Sequence, residues 1–549
     1  MKKLWWAVPV VVAGAAAARR SQPSHRTDGQ AYDRWLTVTI NRAPADVGSE
    51  GKPPAPLDEL AERIDVEIRP APGDRGTELA ARFKEPVPAV STSAPARLAG
   101  QDPRQELRRA LREAKALLEA GEVLRPDTPP TTRPTPGGKL IEAFTRRSSG
   151  GGSAVKALCW EGVNKLSVEQ VPDPELHNDQ DIIVRLIAGT TCGSDLHLIG
   201  GYIPAMRAGD VIGHEFIGEV VETGPAVRKH KVGDRVVVCS FVGCGRCWYC
   251  ANDLWSLCDN TNTNPGIGQA LFGYETAGIF GYSHAMGGLR GSHAEYVRVP
   301  FADHGAFKVP EGVDDTSALF VSDSVPTGWM GADLAGVKPG DVVAVWGCGA
   351  VGQMAARAAV LKGAERVISI DRIPERLAMT ERYVGAETID YTGTDVAAEL
   401  RERTGGRGPD VCIEAVGMEA HSDGPMHLYD QAKQQLRLQT DRLAAVRQAI
   451  HACRKAGTVF ILGVFAGAVD KFPLGAVINK GLTVRGAQMH GQRYIPMLLD
   501  RLAAGEIDTA HLATHTLSLD QAPTAYDMFK HKSGGCVRAV VRPDHQDAA

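Results

Sequence analysis

The densest group of reactive side chains in the sequence consists of four cysteines. After Gly243 the chain reads Cys-Gly-Arg-Cys-Trp-Tyr-Cys, and a fourth cysteine follows after seven further residues. Zn²⁺ favours four tetrahedral ligands, and a site made of four thiolates leaves no position for substrate, so such a site is structural. Scattered core cysteines or two disulfides would not be expected to show this short, regular spacing. The spacing therefore predicts a structural zinc site with the ligands Cys244, Cys247, Cys250 and Cys258.

A second group of metal-binding residue types lies upstream. Cys192 begins the run Cys-Gly-Ser-Asp-Leu-His, and Gly213-His214-Glu215 lies inside an apolar run from Val211 to Val221. A thiolate and an imidazole are two of the three protein ligands expected of a catalytic zinc, which keeps its remaining position for water or substrate. A lone histidine in an apolar strand is more often a satisfied core residue. The neighbouring four-cysteine group favours the metal interpretation here.

A glycine-rich motif lies between a predicted strand and a predicted helix. The apolar run Val342–Trp346 leads directly into Gly-Cys-Gly-Ala-Val-Gly and then an alanine-rich stretch through Leu361. Gly347 permits a tight turn, Gly349 lets a pyrophosphate approach the backbone, and Gly352 lets helix and strand meet. The motif and its context predict a dinucleotide site at the start of the helix.

The next predicted strand ends in an acidic residue. Asp371 follows Arg366-Val-Ile-Ser-Ile370, about twenty positions after the glycine motif. A carboxylate at this point binds the ribose 2′-hydroxyl and repels a 2′-phosphate, which favours NAD. Because Arg372 and Arg376 are close in sequence, NADP stays open at this point.

These motifs occur in the order and spacing of a known enzyme family. Residues 154 to about 543, seven tenths of the chain, resemble the zinc-dependent medium-chain alcohol dehydrogenases. The resemblance implies an α/β chain with a GroES-like, β-rich catalytic domain and a doubly wound Rossmann domain, and hydride transfer between an alcohol and NAD. It implies a catalytic zinc on Cys192 and His214, with Glu215 as an acidic neighbour that supports or transiently ligates the metal. It also implies a proton relay to solvent through Ser194 and His197.

The third zinc ligand departs from the commonest form of this family. The stretch Leu319–Gly328 contains no cysteine, and Asp323 takes the position. A carboxylate is an acceptable zinc ligand and carries the same charge as a thiolate. The Ser-Asp and Pro-Thr-Gly pattern is similar to the glutathione-independent formaldehyde dehydrogenase branch, which implies a hydrated aldehyde such as formaldehyde as substrate. The alternative for Asp323 is that it caps the next helix.

The first 153 residues differ from the rest in composition. They contain 17 of the 33 prolines and none of the 11 cysteines. Residues 1–20 combine Lys2-Lys3, a short apolar stretch and Arg19-Arg20, so a signal, a membrane-associated segment and neither are all open. Because thiolate ligands need a reducing compartment, we expect a cytoplasmic protein, and residues 1–20 are the one segment through which it could contact a membrane.

A small accessory region and a linker follow. Residues 21–124 contain two β-like alternations and one helix, which Asp102 caps, Pro103 begins and Gly121 ends, so we predict a small α+β region or a partly disordered one. Residues 30–125 weakly resemble a polyketide cyclase-like actinobacterial family and carry no catalytic motif. The Pro/Gly-rich residues 125–153 predict a linker.

The remaining chain divides into two domains, and its charge limits its partners. We predict a zinc catalytic domain at 154–323 and 488–549 and an NAD-binding domain at 324–487. With 61 Lys plus Arg against 65 Asp plus Glu, charge gives no reason to expect nucleic-acid binding. We expect a small alcohol or aldehyde substrate, and the resemblance implies a homodimer or homotetramer through an edge strand at Val477–Gly486.

Two alternative functions fit the same motifs. A polyol or amino-alcohol dehydrogenase of the threonine type has the same fold, because pocket shape selects the substrate. A non-catalytic, NAD-binding sensor is the alternative from a different class. The intact metal and relay residues favour an enzyme.

Overall fold

The structure, a computed structural model, describes residues 34–48, 52–85, 103–127, 154–418, 420–421, 429, 441–465, 467 and 469–543. The predicted segment 1–20, the helix cap Asp102 and linker residues 128–153 lie outside the described residues. Two compact units are present. One contains the described residues up to 124 with 244–252 and 265–276, and the other contains the described residues of 125–243, 253–264 and 277–543. Within the described ranges, no helix is long and apolar enough to cross a membrane.

The accessory region folds as a small α+β domain. Its elements are β1 (Leu36–Ile40), α1 (Pro44–Val47), β2 (Ile64–Pro70), β3 (Thr77–Phe83) and α2 (Pro103–Ala120). The strands form an antiparallel sheet in the order β1-β3-β2, and α2 packs Leu107 and Leu111 onto Ile40 and Leu79. The apolar stripe of α2 and its end before Gly121, whose φ is 84°, confirm the predicted helix.

The accessory domain belongs to the same compact unit as residues 244–252, which carry Cys244, Cys247 and Cys250, and residues 265–276. Asn41 Nδ2 donates to the carbonyl oxygen of Arg246 at 3.0 Å, and the guanidinium of Arg75 lies over the ring of Trp248, 5.1 Å from its centroid. Arg112 lies 3.5 Å from Glu275. These contacts fix the domain against the loop that carries Cys244, Cys247 and Cys250.

The chain from 154 to 319 contributes most of a β-rich domain. Its strands are β4 (Ala154–Gly162), β5 (Lys165–Pro172), β6 (Ile182–Thr190), β7 (Asp210–Val211), β8 (Phe216–Thr223), β9 (Arg235–Val238), β10 (Phe241–Val242), β11 (Gly278–Ile279), β12 (Tyr296–Val299) and β13 (Ala306–Lys308). Its helices are α3 (Gly193–Ile199), α4 (Trp248–Ala251), α5 (Pro265–Phe272), α6 (Ala302–Gly305) and α7 (Asp315–Leu319).

The first residues of the predicted linker pack into this domain through the buried side chain of Asp127. Arg298 Nε donates to Asp127 Oδ1 and its Nη1 to Asp181 Oδ2, both at 2.9 Å, and all three side chains are buried. The backbone N–H of Arg290 donates to the second oxygen of Asp127 at 2.8 Å. Because a buried charge needs such partners, residues 125–127 are part of the β-rich domain's packing.

A parallel sheet with alternating helices follows. The elements in chain order are α8 (Ser324–Leu334), β14 (Val342–Trp346), α9 (Ala350–Leu361), β15 (Arg366–Asp371), α10 (Pro374–Val384), β16 (Glu387–Asp390), α11 (Val396–Arg403), β17 (Val411–Glu414), α12 (Ala444–Ala452), β18 (Thr458–Ile461), α13 (Leu474–Lys480) and β19 (Thr483–Gly486). The strand order is β16-β15-β14-β17-β18-β19, and every neighbouring pair is parallel. The order reverses at β14, which places a ligand crevice at its carboxyl end.

The last part of the chain returns to the first sheet. It contains α14 (Gly491–Ala503), β20 (Ala513–Ser518), α15 (Ala522–His531) and β21 (Arg538–Arg542). Strand β21 pairs with β6, completing a seven-stranded sheet in which β13-β9-β8-β6-β21-β20 are consecutive and β12 also pairs with β6. The β-rich domain and the doubly wound sheet confirm the predicted fold class.

Candidate metal and nucleotide sites

Cys192, His214 and Glu215 meet in the interior of the β-rich domain. Their ligand atoms lie within 4.8 Å of one another, and all three side chains are buried. Cys192 follows β6 and His214 precedes β8, and these strands pair with Gly189 opposite Phe216. Antiparallel pairing therefore brings the end of one strand and the start of the other to the same edge. We call these three residues the ligand group.

Asp195 orients the histidine of the ligand group. Its Oδ1 lies 3.0 Å from His214 Nδ1, while its Oδ2 accepts hydrogen bonds from the Cys192 backbone N–H at 3.1 Å and from the Tyr526 hydroxyl at 2.6 Å. Burial disfavours both charges, yet His214 lowers the pKa of Asp195, and Asp195 with Cys192 raises the pKa of His214 well above its ordinary value. A carboxylate on one ring nitrogen fixes the ring and leaves Nε2 for a metal.

The two predicted relay residues lie on α3. Ser194 Oγ is 3.2 Å from Cys192 Sγ and 3.1 Å from His214 Nε2, so the structure brings Ser194 to the ligand group. His197 is buried one turn further along the helix. A relay from one to the other stays a prediction.

Glu215 faces a buried arginine from the last strand. Arg538 Nη2 lies 3.1 Å from Glu215 Oε1, and the Ser324 hydroxyl donates to Oε2 at 2.8 Å. Arg538 also donates to the Ser324 hydroxyl at 2.6 Å and to the carbonyl oxygen of Thr191. Burial raises the pKa of Glu215 above its ordinary value, although the positive charge of Arg538 opposes the rise. These bonds hold the carboxylate beside the thiol and the imidazole.

The structure does not place Asp323 in the ligand group. Its carboxylate accepts hydrogen bonds from Ser240 Oγ at 2.5 Å and from Thr327 Oγ1 at 3.1 Å. Asp323 stands at the N-cap position of α8, but its side chain accepts no backbone hydrogen bond there, which speaks against the capping alternative. In the described part of the chain, the group of mutually close ligand atoms that includes Cys192 contains His214 and Glu215 but not Asp323. Asp323 as the third zinc ligand stays a prediction.

The four predicted structural ligands form a compact, buried cluster. The sulfur atoms of Cys244, Cys247, Cys250 and Cys258 lie within 4.8 Å of one another. The backbone N–H groups of Cys247 and Asn260 point at Cys244 Sγ and Cys258 Sγ, at 3.4 and 3.5 Å. Hydrogen bonds to sulfur favour the thiolate form. Four thiolates at this separation fit a tetrahedral Zn²⁺.

The glycine motif forms a tight turn between β14 and α9. Gly347 has a φ of 97°, and a Cβ on Gly352 would lie 1.8 Å from the Gly347 carbonyl oxygen, so Gly352 admits no side chain. A Cβ on Gly349 would meet only Arg376 Nη1, at 3.7 Å. The space in front of Gly349 at the helix start is therefore open to a ligand, and the helix dipole favours an anion there.

Asp371 lies at the end of β15 and closes this turn. Its Oδ2 accepts from the Cys348 backbone N–H at 2.7 Å, and its Oδ1 accepts from the N–H groups of Arg372 and Ile373 at 2.6 and 3.1 Å. The carboxylate is thereby fixed next to the glycine motif. Its predicted contact with a ribose hydroxyl stays a prediction.

Sequence reasoning gave no role to Asp195, Tyr526 and Arg538. Asp195 carries a local signal, because it stands three residues after Cys192 and completes a capping box with it. Tyr526 and Arg538 reach the site only because β21 pairs with β6, and no nearby motif marks either residue.

Two family models match the chain. "Alcohol dehydrogenase GroES-like domain" matches residues 178–311, which hold the ligand group and the four-cysteine cluster. "Zinc-binding dehydrogenase" matches residues 350–429, which begin inside the glycine motif.

Individual proteins are similar over the same part of the chain. An uncharacterized zinc-type alcohol dehydrogenase-like protein of Bacillus subtilis, AdhB, is 38% identical over 392 residues, which cover 71% of this chain and 100% of that protein. Formaldehyde dismutase of Pseudomonas putida is 31% identical over 414 residues, covering 71% and 97%. The solved alcohol dehydrogenase TADH from Thermus sp. ATN1 is 32% identical with a TM-score of 0.59, covering 70% of this chain and 99% of that one.

Proposed function

Since this chain belongs to the zinc-dependent medium-chain alcohol dehydrogenase family, we propose that it transfers hydride between NAD and an alcohol or a hydrated aldehyde such as formaldehyde. The observation that carries the proposal is that the ligand atoms of Cys192, His214 and Glu215, all buried, lie within 4.8 Å of one another. The similarity to a formaldehyde dismutase supports a small hydrated aldehyde as substrate.

The ligand group fits a zinc ion by its chemistry. Thiolate, imidazole and carboxylate are the ligand types of zinc sites, and a zinc ion with three protein ligands keeps its fourth position for water or substrate. Cys192 and His214 would hold the ion, with Glu215 or Asp323 as the acidic partner. Zn²⁺ bound there supplies a Lewis acid that polarises the substrate oxygen. Asp195 keeps the His214 ring turned toward the thiol, and Arg538 neutralises Glu215.

In the proposed reaction, Ser194 takes the proton that the substrate hydroxyl loses. Its Oγ lies 3.1 Å from His214 Nε2, and this closeness to the ligand group supports the role. The proton then passes to His197, one turn along α3. Because a hydroxyl donates and accepts at once, Ser194 can relay a proton without becoming charged.

The parallel sheet would hold the nicotinamide cofactor. The backbone at Gly349 and the start of α9 receive the pyrophosphate, and Asp371 selects the ribose 2′-hydroxyl of NAD. Arg376 lies close to this turn, as its Nη1 would be 3.7 Å from a Cβ on Gly349. All 11 cysteines are buried, and because thiolate zinc ligands need a reducing compartment, a cytoplasmic location is part of the proposal.

A substrate and cofactor panel tests this function. Purified full-length protein with methanol, ethanol, formaldehyde, a polyol or threonine is mixed with NAD or NADP, and reduced cofactor and oxidised product are measured. We expect turnover with NAD and a higher kcat/KM for formaldehyde or a small alcohol than for threonine. Preference for a polyol or threonine would replace the substrate assignment. The absence of turnover with every pair would contradict the proposed function.

A further inference from the structure

The segment Phe280–Tyr282 runs alongside the backbone that carries His214. The rings of Phe280 and Phe216 meet edge to face, with centroids 5.5 Å apart and planes at 85°. Tyr282 and His214 meet in the same way at 6.5 Å and 85°. The paired rings hold Tyr282 beside the ligand group.

Gly281, between Phe280 and Tyr282, brings the backbone of this segment into contact with the backbone of Gly213, the residue before His214. A Cβ on Gly281 would lie 2.3 Å from the carbonyl oxygen of Gly213, and 2.6 Å from its nitrogen. Gly281 also has a φ of 56°, which glycine adopts without strain. Since nothing larger fits, the position of Tyr282 relative to His214 is set by backbone contact rather than by a mobile side chain.

Two buried tyrosines, Tyr526 and Tyr282, lie next to the ligand group, and their hydroxyls differ in their hydrogen bonds. The Tyr526 hydroxyl donates to Asp195 Oδ2 at 2.6 Å and lies 2.8 Å from His293 Nε2, so its bonding capacity is used. The Tyr282 ring is buried, with 6% of the residue exposed. Its hydroxyl makes no hydrogen bond to the part of the chain that the structure describes, and it is not among the atoms sealed from solvent. Its bonding capacity is therefore available to an oxygen atom that enters beside it.

A phenol in this position has a defined use. A phenol has an ordinary pKa of about 10, so this hydroxyl keeps its proton at neutral pH. It offers one donor and an acceptor to whatever oxygen enters beside it. A substrate with one oxygen would use that oxygen at the ligand group, and only a second oxygen could satisfy the phenol.

We propose that Tyr282 is a substrate-binding residue whose hydroxyl bonds the second oxygen of a substrate with two hydroxyl groups. Hydrated aldehydes and 1,2-diols share this chemistry. The inference rests on the proposed function and narrows its substrate class. A site with a buried polar group discriminates strongly against an analogue that leaves the group unpaired.

Matched substrates test the proposal. Wild type and Tyr282→Phe are assayed with NAD on formaldehyde against methanol and on ethane-1,2-diol against ethanol, pairs with equal carbon number. We expect the ratio of kcat/KM for the two-oxygen substrate to that for the alcohol to fall about tenfold or more in Tyr282→Phe. A fall for formaldehyde alone identifies the hydrated aldehyde as the ligand, and a fall for the diol alone identifies the 1,2-diol.

Tyr526→Phe is the matched control, because it removes the other phenol near the ligand group. It loosens Asp195, so we expect both substrates of a pair to be affected alike and their ratio to stay within about twofold. Zinc content and the thermal midpoint of each variant report on folding and metal retention. An unchanged ratio in an active Tyr282→Phe protein would overturn the role of Tyr282 alone. Inactivity of the wild type on every substrate would instead contradict the proposed function itself.

Discussion

Asp195 serves the fold and the candidate metal site with the same carboxylate. One oxygen accepts the backbone N–H of Cys192 at the start of α3, and the other holds His214 Nδ1 at 3.0 Å. The start of a helix and the direction of an imidazole are thus set together. Because metal affinity depends on how well ligands are oriented before the ion arrives, Asp195 should control zinc binding without touching zinc.

Asp195→Asn should weaken the catalytic zinc and spare the structural one. We expect the affinity of one zinc per chain to fall about 10–100-fold, measured as zinc content after dialysis against graded chelator. Asp210→Asn is the control, since Asp210 makes the same kind of contact with His284, at 3.0 Å, outside both clusters. Unchanged retention of both ions in Asp195→Asn would refute this role.

A buried histidine should make stability depend on pH. Burial, with the positive charges of Arg493 and Arg485, lowers the pKa of His490 from 6.5 to about 4, and its Nδ1 accepts the Ser256 backbone N–H at 3.4 Å. The unfolded chain binds this proton near pH 6.5 and the folded chain only near pH 4. The stabilisation is therefore complete above pH 6.5 and is lost as pH falls from there toward 4.

Thermal unfolding at two pH values checks this sign. Between about pH 7.5 and about pH 5, the midpoint of the wild type should fall further than that of His490→Gln. His531→Gln is the control, because the side chain of His531 is 59% exposed. Equal falls in the wild type and His490→Gln would show that His490 is not responsible.

Whether a residue's role could be predicted from the sequence depends on its chemical type and spacing. Four cysteines at short spacing and a Gly-x-Gly-x-x-Gly turn have few physical uses, so their roles could be predicted from type and spacing. Asp195, Tyr526 and Arg538 are ordinary residue types whose role exists only where β6, α3 and β21 meet. For Asp323 the sequence predicts a ligand; the structure shows its hydrogen bonds to Ser240 and Thr327, and the ligand role stays a prediction.

In the turn between β14 and α9, Gly352 is required because a side chain would clash with the backbone, whereas Gly349 leaves open space for a ligand. A Cβ on Gly352 would lie 1.8 Å from a carbonyl oxygen, whereas a Cβ on Gly349 would meet nothing closer than 3.7 Å. Gly352→Ala should therefore disrupt the turn and lower both the thermal midpoint and NAD affinity. Gly349→Ala should keep the midpoint and weaken NAD binding only. Calorimetry measures the NAD affinity of each variant, and thermal unfolding measures its midpoint. A normal midpoint in Gly352→Ala would contradict the steric argument.

Regular elements could be predicted where the pattern is strong. The helix at Pro103–Ala120 has a clear apolar stripe, and Val342–Trp346 is apolar throughout because parallel strands are buried on both faces. The strand Thr77–Phe83 was not predicted. Its centre, Leu-Ala-Ala, is buried on successive residues and lacks the alternation and β-branched residues typical of a strand. Its pairing with β1 and β2 depends on the tertiary fold.

At the scale of the whole molecule, an apolar edge is left exposed. Among the residues that the structure describes, helix α13 has no fully buried member, Leu474 is 58% and Ile478 69% exposed, and β19 is the last strand of its sheet. An open strand edge with apolar neighbours is a pairing surface. We propose that a second copy covers it, giving the homodimer or homotetramer predicted from the sequence.

Charge at this edge should prevent the assembly. Ile478→Lys should give a monomer in light scattering at concentrations where the wild type is a dimer or tetramer. Val232→Lys is the control, because Val232 is 61% exposed in the other domain. A monomeric wild type, or an Ile478→Lys protein of unchanged mass, would exclude this edge as the interface.

We propose that Cys192 is a ligand of a catalytic zinc ion and Cys258 a ligand of a separate, structural one. The most direct measurement is zinc per chain together with NAD-dependent alcohol oxidation in the wild type and in Cys192→Ser, with Cys159→Ser as the control for a buried cysteine outside both clusters. We expect two zinc ions and turnover for the wild type and Cys159→Ser, and one zinc ion with turnover reduced by orders of magnitude for Cys192→Ser. Two zinc ions and normal turnover in Cys192→Ser would contradict this proposal.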